Sequence, residues 1–128
     1  MIDIIPIEQI GLDERGGTYV FDTFGRSGQF MVTYRRAGSI SGRHYHEGIR
    51  PGKNPERLVL LKGDILLNWK DVRGDDRGSE PVTGPAQITI PAGVWHEVVA
   101  VTDFVMLELN SATDGRGDTY WLMPDELG

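Results

Sequence analysis

The sequence contains no cysteine, so disulfides and thiolate ligands are excluded, and any bound metal must be held by nitrogen and oxygen atoms. It has no apolar run near the roughly 18 residues that span a bilayer, and we expect no membrane association. The sequence has thirteen basic and nineteen acidic residues, and the resulting net charge of −6 opposes binding to nucleic acid. Residues 1–10 carry no basic residue ahead of an apolar stretch, so we expect no signal peptide and a cytoplasmic location.

The length of the chain predicts one domain over residues 1–128. A single hydrophobic core typically forms at about 100 to 150 residues, and a second core would need more chain than these 128 residues supply. Hydrophobic residues make up 39% of the chain and charged residues 25%, which is usual for a globular protein and unlike a disordered one. We therefore expect a single core.

Polar and apolar residues alternate with a period of two over much of the chain, between turns rich in glycine and proline. This pattern leaves little room for helices and predicts an all-β sandwich or barrel. Residues 71–85, with their glycines, acids and Pro81, are predicted to form a solvated hairpin loop or irregular excursion. Residues 2–10 and 120–127 are expected to add edge strands, either to the sheet or to a partner. The other predicted strands are 19–24, 30–34, 56–61, 65–72, 86–90, 96–101 and 104–109.

The three histidines are the main candidates for chemistry. His44 and His46 are separated by one residue, and side chains two apart on a strand project to the same side of the sheet. Their imidazoles should therefore point together, with Tyr45 facing the other way. His96 follows the turn 91–93 at the start of another predicted strand. The alternative is that the three are separate structural or surface histidines.

Glu56 is the candidate carboxylate of the same site. It shares parity with Leu58, so it lies at the end of a strand face that continues as apolar residues. A buried carboxylate without a partner is costly, and a metal would satisfy it. Glu47 is closer to His46 in sequence but has the opposite parity, so we prefer Glu56. The alternative for Glu56 is a surface glutamate paired with the neighbouring Arg57.

These spacings resemble the two sequence motifs of the cupin superfamily. The resemblance covers residues 38–100, about half of the chain, and three independent intervals agree with the motifs. The matching residues are Gly38, His44, His46, Glu56 and Gly63 in the first motif, and Pro91, Gly93 and His96 in the second. The resemblance implies a double-stranded β-helix, which is a jelly-roll barrel. It also implies a homodimer.

The histidines and Glu56 supply the usual donors for a divalent transition metal, and the resemblance implies His44, His46, Glu56 and His96 as its ligands. Zinc, iron, nickel, manganese and copper all remain open. The function predicted is that of a metal-dependent enzyme, an isomerase, epimerase or dioxygenase, acting on a small polar molecule that is anionic or sugar-like. The alternatives are a non-catalytic, metal-containing cupin that binds or senses a small-molecule ligand, and a cupin without metal.

Nine residues separate His46 from Glu56, where the cupin motif usually has three or four. If both ends lie at the metal, this insertion must lie over the mouth of the barrel. It carries Arg50 and Lys53, and we hypothesise that their positive field attracts an anionic group of the ligand. The alternative is an ordinary solvated loop. Trp95 is predicted to brace the strand end before His96, with ligand contact as a secondary role.

Strand parity also bears on the placement of two further residues. Trp69 shares parity with Ile65 and Leu67, which predicts core packing in preference to a substrate platform. Glu108 lies in an apolar run, and the sequence leaves two interpretations open. It is either an outward polar residue or a buried acid.

Overall fold

The computed structural model describes residues 1–128 and is built from strands joined by turns. Its single helical segment is a 3-10 turn at Pro124–Glu126. None of its helical structure has the length and hydrophobicity to cross a bilayer. In chain order the strands are β1 (Asp3–Pro6), β2 (Glu8–Asp13), β3 (Gly16–Val20), β4 (Met31–Arg35), β5 (Ile40–Tyr45), β6 (Glu56–Lys62), β7 (Asp64–Asp71), β8 (Arg77–Thr83), β9 (Ala86–Ile90), β10 (Val94–Ala100), β11 (Phe104–Glu108) and β12 (Tyr120–Trp121).

The strands form two five-stranded antiparallel sheets and a separate hairpin. The first sheet has the order β1-β9-β6-β11-β4, and the second has the order β12-β5-β10-β7-β8. Strands β2 and β3 pair only with each other. The all-β prediction is confirmed. The prediction that both ends add edge strands is also confirmed, because β1 pairs with β9 and β12 with β5.

The inner faces of the two sheets meet in one apolar cluster. Side chains alternate across each strand, so Leu58 and Leu60 of β6 face Ile65 and Leu67 of β7 within the same core. Trp69 continues the inner face of β7 and packs against the cluster, as the sequence predicted. The 13 buried members are Leu58, Leu60, Ile65, Leu67, Val82, Ala86, Ile88, Ile90, Val94, Val98, Ala100, Phe104 and Met106.

Two stretches differ from the sequence prediction. Residues 71–85 contain the regular strand β8, which pairs with β7 along its whole length. β8 is the edge of its sheet, and an edge strand tolerates Pro81. The strand predicted over 19–24 ends at Val20 instead. There the Asp22 carboxylate accepts the backbone N–H of Phe24, a local hydrogen bond that competes with strand pairing.

Candidate functional site

Three imidazoles lie side by side at one end of the second sheet. His44 of β5 and His96 of β10 are direct partners in the strand register. The ring centroid of His44 is 4.8 Å from that of His46 and 4.8 Å from that of His96. One nitrogen atom from each ring lies within 4.8 Å of the others. Tyr45 faces away and stacks on Tyr120, as the strand parity predicted.

A bulge in β5 sets the position of His44. The register shifts between His96 and Glu97, so Arg43 is an extra residue on β5. Gly42 has φ 83°, and a Cβ atom there would lie 2.8 Å from the carbonyl oxygen of His96, so glycine is needed. Arg43 has φ 61°, and its guanidinium is fixed by an ion pair of 2.8 Å with Glu97. The bulge thus brings β5 close to β10 beside the imidazoles.

Glu56 reaches the imidazoles from the other sheet, as the first residue of β6. Its Oε2 atom lies 3.4 Å from Nε2 of His46 and 3.5 Å from Nε2 of His96. Its Oε1 atom lies 3.2 Å from Nζ of Lys53. Glu56 therefore lies against two of the three imidazoles, and a buried ammonium group contacts it as well.

The hydrogen bonds of two imidazoles leave their Nε2 atoms facing the site. Nδ1 of His46 lies 2.7 Å from the carbonyl oxygen of Asp118, and Nδ1 of His96 lies 3.1 Å from that of Val94. A neutral imidazole that donates from Nδ1 presents Nε2 as an acceptor or metal ligand. Nε2 of His46 and Oε2 of Glu56 are buried without a hydrogen-bond partner. Such atoms are rare, and a divalent cation would satisfy both, so these residues fit a metal.

The site favours neutral imidazoles and an ionised carboxylate. Burial lowers the pKa of His44 to about 3, and the nearby His96 adds to this effect. Burial also lowers the pKa of His96, against the opposing influence of Glu56. For Glu56 itself burial raises the pKa, but His46, His96 and Lys53 together outweigh it and hold the pKa well below its usual range. These are the protonation states in which the groups bind metals.

We predict that the metal-free protein loses stability as the pH falls from 6.5 toward about 3, because the pKa of His44 moves from 6.5 to about 3 on folding. The unfolded chain binds more protons in this window, so protonation favours unfolding. The slope is about 1.4 kcal/mol per pH unit for each such proton. Urea unfolding measured across the window tests this, with His44→Asn as the comparison. Equal slopes in the two proteins would contradict it.

A cavity of about 240 Å³ adjoins the imidazoles between the two sheets. Thr33, Glu108 and Met106 of the first sheet line it together with His44 and His96 of the second. Thr33 donates its hydroxyl to Glu108 at 2.8 Å, and this bond orients the carboxylate. Of the two interpretations left open for Glu108, the structure shows an inward, half-buried acid. The exposed Arg35, the half-buried Ser41 and Glu56 also line the cavity.

The residues predicted to bind substrate are placed differently from one another. Arg50 is exposed and does not line the cavity. Trp95 lies on the face of β10 opposite to His96, where its indole donates to the carbonyl of Leu122 at 2.9 Å, so it braces the C-terminal segment. Lys53 is buried against Glu56 and does not line the cavity either. Trp95 likewise does not line this cavity, and its contact with a ligand stays a prediction.

Asp118 is a residue that the sequence analysis missed. It is 1% exposed, and its carboxylate accepts the backbone N–H groups of Glu47, Gly48 and Ile49. Its backbone carbonyl oxygen forms the hydrogen bond with Nδ1 of His46 described above. Burial raises the pKa of Asp118, but the three backbone hydrogen bonds hold the pKa below its ordinary value. Its glycine-rich surroundings indicate a turn, but nothing in the sequence pairs that turn with residues 47–49.

We predict that Asp118→Asn destabilises the protein by about 1–3 kcal/mol, because an amide replaces a charged acceptor of three buried hydrogen bonds. Metal affinity should fall as well, since His46 loses its orientation when residues 46–49 relax. Urea unfolding and metal titration measure the two effects. Asp125→Asn, at an exposed position, is the matched control. The same stability in the two variants would show that the hydrogen bonds of Asp118 do not secure this segment.

No protein-family model matches this sequence, and no curated protein matches it. Solved structures do match. A 3,4-ketoisomerase from Helicobacter canadensis is 17% identical, with a TM-score of 0.72, over 98% of this chain and 94% of that chain. ChmJ, described as a 3'-monoepimerase from Streptomyces bikiniensis and solved with dTDP, is 20% identical, with a TM-score of 0.78, over 99% of this chain and 72% of that chain.

A further match is a mutant of the 3,4-ketoisomerase QdtA from Thermoanaerobacterium thermosaccharolyticum, solved with TDP-4-keto-6-deoxyglucose. It is 16% identical, with a TM-score of 0.74, over 98% of this chain and 91% of that chain. These matches extend over nearly the whole chain, well beyond the two motifs. Together with the two antiparallel sheets, they show that this chain has the jelly-roll fold of the cupin superfamily.

Proposed function

We propose that this protein is a metal-dependent isomerase or epimerase of a keto sugar that carries an anionic group, within one cupin domain over residues 1–128. The observation that supports it best is the cavity beside the imidazoles. Metal-ligating groups stand at one wall, and the acid Glu108 stands in the same small space. The structural neighbours described as ketoisomerases and an epimerase favour this chemistry over the dioxygenase alternative.

His44, His46, His96 and Glu56 would hold the metal. A divalent cation, when bound there, supplies Lewis acidity toward a carbonyl oxygen of the ligand. The protein contributes neutral imidazoles at His44 and His96, because the pKa of His44 is lowered to about 3 and burial also lowers the pKa of His96. Binding of a metal at neutral pH therefore needs no loss of protons from these two rings.

Glu108 is proposed as the base that removes a proton from the carbon next to the carbonyl group, and as the acid that returns it. A carboxylate in a cavity, oriented by a hydroxyl donor, has the features that a proton-transfer group needs. If Glu108 returns the proton to the former carbonyl carbon while the proton of the adjacent hydroxyl group moves to the former carbonyl oxygen, the carbonyl group moves by one carbon. Inversion at the original carbon instead takes a proton from water on the opposite face, with Glu108 acting as the base only.

Arg35 is proposed to bind the anionic group of the substrate. Its guanidinium lies at the exposed side of the cavity, and Arg35 and Phe104 also line a surface depression of about 510 Å³. Arg36 and Lys62 border that depression, along with the single carboxylate of Asp103. Three cations there suit a phosphate or diphosphate, and two of the neighbours were solved with thymidine nucleotides or their sugar derivatives.

Deuterium exchange tests the proposal directly. Metal-loaded protein is incubated in heavy water with TDP-4-keto-6-deoxyglucose and, in parallel, with simple keto-sugar phosphates, and the sugar protons are followed by NMR. Deuterium is expected at the carbons next to the ketone. Saturable binding without exchange would instead support the non-catalytic ligand-binding alternative.

We propose further that the protein is a homodimer and that it is cytoplasmic. An isolated two-stranded hairpin is marginally stable, yet β2 and β3 pair only with each other and expose Ile10, Leu12, Tyr19 and Val20. A second copy that covers this hairpin would explain both features. Light scattering should give the mass of a dimer, and Leu12→Glu should give a monomer. A monomeric wild-type protein would refute the assembly.

A further inference from the structure

The nine-residue insertion between His46 and Glu56 is held at both ends by charged side chains from distant parts of the chain. Asp118 accepts three N–H groups at its start, as described above. Arg26 donates to four backbone carbonyls, those of Pro51, Gly52, Pro55 and Leu109, and so ties the second half of the insertion to the strand end. The insertion is therefore not an ordinary solvated loop. It is clamped in one arrangement.

This arrangement buries Lys53 behind Glu56. Lys53 is 6% exposed, although lysine is almost never fully buried without a partner. Its ammonium lies 3.2 Å from Oε1 of Glu56. Its aliphatic chain packs beside Gly115, where an added Cβ atom would lie 3.5 Å from Cε of Lys53. It does not line the cavity, whereas Glu56 does. The ammonium thus contacts the carboxylate from outside the ligand space.

The two oxygens of Glu56 are consequently divided between two roles. Oε1 is taken by Lys53. Oε2 lies near His46 and His96 and has no hydrogen-bond partner, so it is the oxygen left for a metal. Only one oxygen of Glu56 is therefore left to bind a metal. The positive charge of Lys53 also weakens the attraction between Glu56 and a second cation.

We propose that Lys53 is a built-in counter-cation of the metal centre, which stabilises the metal-free protein and limits its affinity for divalent metals. The inference rests on the proposed metal-binding role of the four ligands. Without metal, the ammonium is the one formal positive charge in contact with the buried Glu56 carboxylate. With metal bound, two cations share this carboxylate and repel each other. The metal is therefore held loosely enough to exchange.

The two effects have opposite signs, and this makes the test specific. Lys53→Met removes the charge, and Lys53→Gln removes it while keeping an N–H donor for Glu56. Both variants should unfold at lower urea concentration than wild type when metal-free. Both should bind Zn²⁺ at least tenfold more tightly, as measured by competition with a chelator of known affinity. A residue with a purely structural role would weaken stability and metal binding together.

Lys70→Met is the matched control. Lys70 is also a buried lysine, but its ammonium donates to the carbonyls of Asp71 and Gly74, away from the imidazoles. The control should lose stability and keep the wild-type Zn²⁺ affinity. If Lys70→Met bound Zn²⁺ as tightly as the Lys53 variants, the inference would be overturned. The gain in Zn²⁺ affinity would then come from a loosened structure and not from removal of the charge beside Glu56.

The remaining outcomes separate this inference from the proposed metal dependence. Wild-type protein that binds Zn²⁺, with Lys53 variants that bind it equally or less well, overturns the counter-cation role and leaves the metal centre standing. Wild-type protein that does not bind, with variants that do, supports the counter-cation role and refutes metal dependence of the natural protein. Absence of Zn²⁺ binding in all of them overturns both.

Discussion

His96→Ala should abolish the stabilisation that a divalent metal gives this protein. His96 contributes one of three imidazole donors, its Nδ1 atom is occupied by a backbone carbonyl, and its Nε2 atom faces Glu56. A metal that binds only the folded form stabilises it by about 2.7 kcal/mol at one hundred times its dissociation constant. Wild-type protein should gain this amount, and the variant should gain nothing at the same metal concentration. Urea unfolding with and without Zn²⁺, together with elemental analysis, measures the difference.

Trp95→Phe is the control for this variant. Trp95 is the preceding residue of the same strand, is equally buried, and points to the opposite face. Loss of its hydrogen bond to Leu122 should lower stability with and without metal by the same amount. If His96→Ala retained stoichiometric metal with wild-type affinity, the four residues would not form a metal centre, and their clustering would need another explanation.

The second large effect is expected for Glu108→Gln. The amide keeps the shape of the side chain and its contact with Thr33, but it cannot accept a proton from a carbon atom. General acid–base groups contribute about 10²- to 10⁴-fold to rates, so deuterium exchange into a keto sugar should slow by at least about 100-fold. Zn²⁺ affinity should stay within error of wild type, because Glu108 is not one of the four proposed ligands.

Glu97→Gln supplies the comparison. Glu97 is a buried carboxylate next to His96 in sequence, but it faces away from the cavity and pairs with Arg43 and Asn68. This variant should lose stability and retain exchange by the folded, metal-loaded protein. If Glu108→Gln exchanged at the wild-type rate, another group would be the base, and the proposed role of Glu108 would be refuted.

Strand parity allowed the centre of the site to be predicted without a structure. The period of two decides that His44 and His46 project together and that Tyr45 does not. The same rule places Trp95 opposite to His96, so its bracing role was predictable. The interval rules of the motifs add Glu56, which lies on the other sheet. Parity is a local property, and local properties can be read from the chain.

Glu108 is a residue whose surroundings strand parity could not predict. Its parity with Met106 was visible, and Met106 is buried in the core. Whether a polar residue at the end of such a face meets solvent or a cavity depends on which strand pairs beside it in the sheet. Here that neighbour is β4, whose Thr33 donates to Glu108. Arg35 likewise became a candidate only when β4 was placed beside the cavity.

By itself, the sequence determined the all-β architecture and the limits of about half of the strands, because alternation and turn chemistry act between residues near in sequence, and the spacing of its motifs indicated the four candidate ligands. Only the tertiary structure decided what surrounds them: the cavity with Glu108, the two clamps from Arg26 and Asp118, and the ammonium of Lys53 against Glu56. Asp118 lies about 70 residues from the N–H groups that it binds, and Arg26 lies 83 residues from Leu109. Contacts over such separations are set by the packing of the two sheets, and no pattern within one segment encodes them.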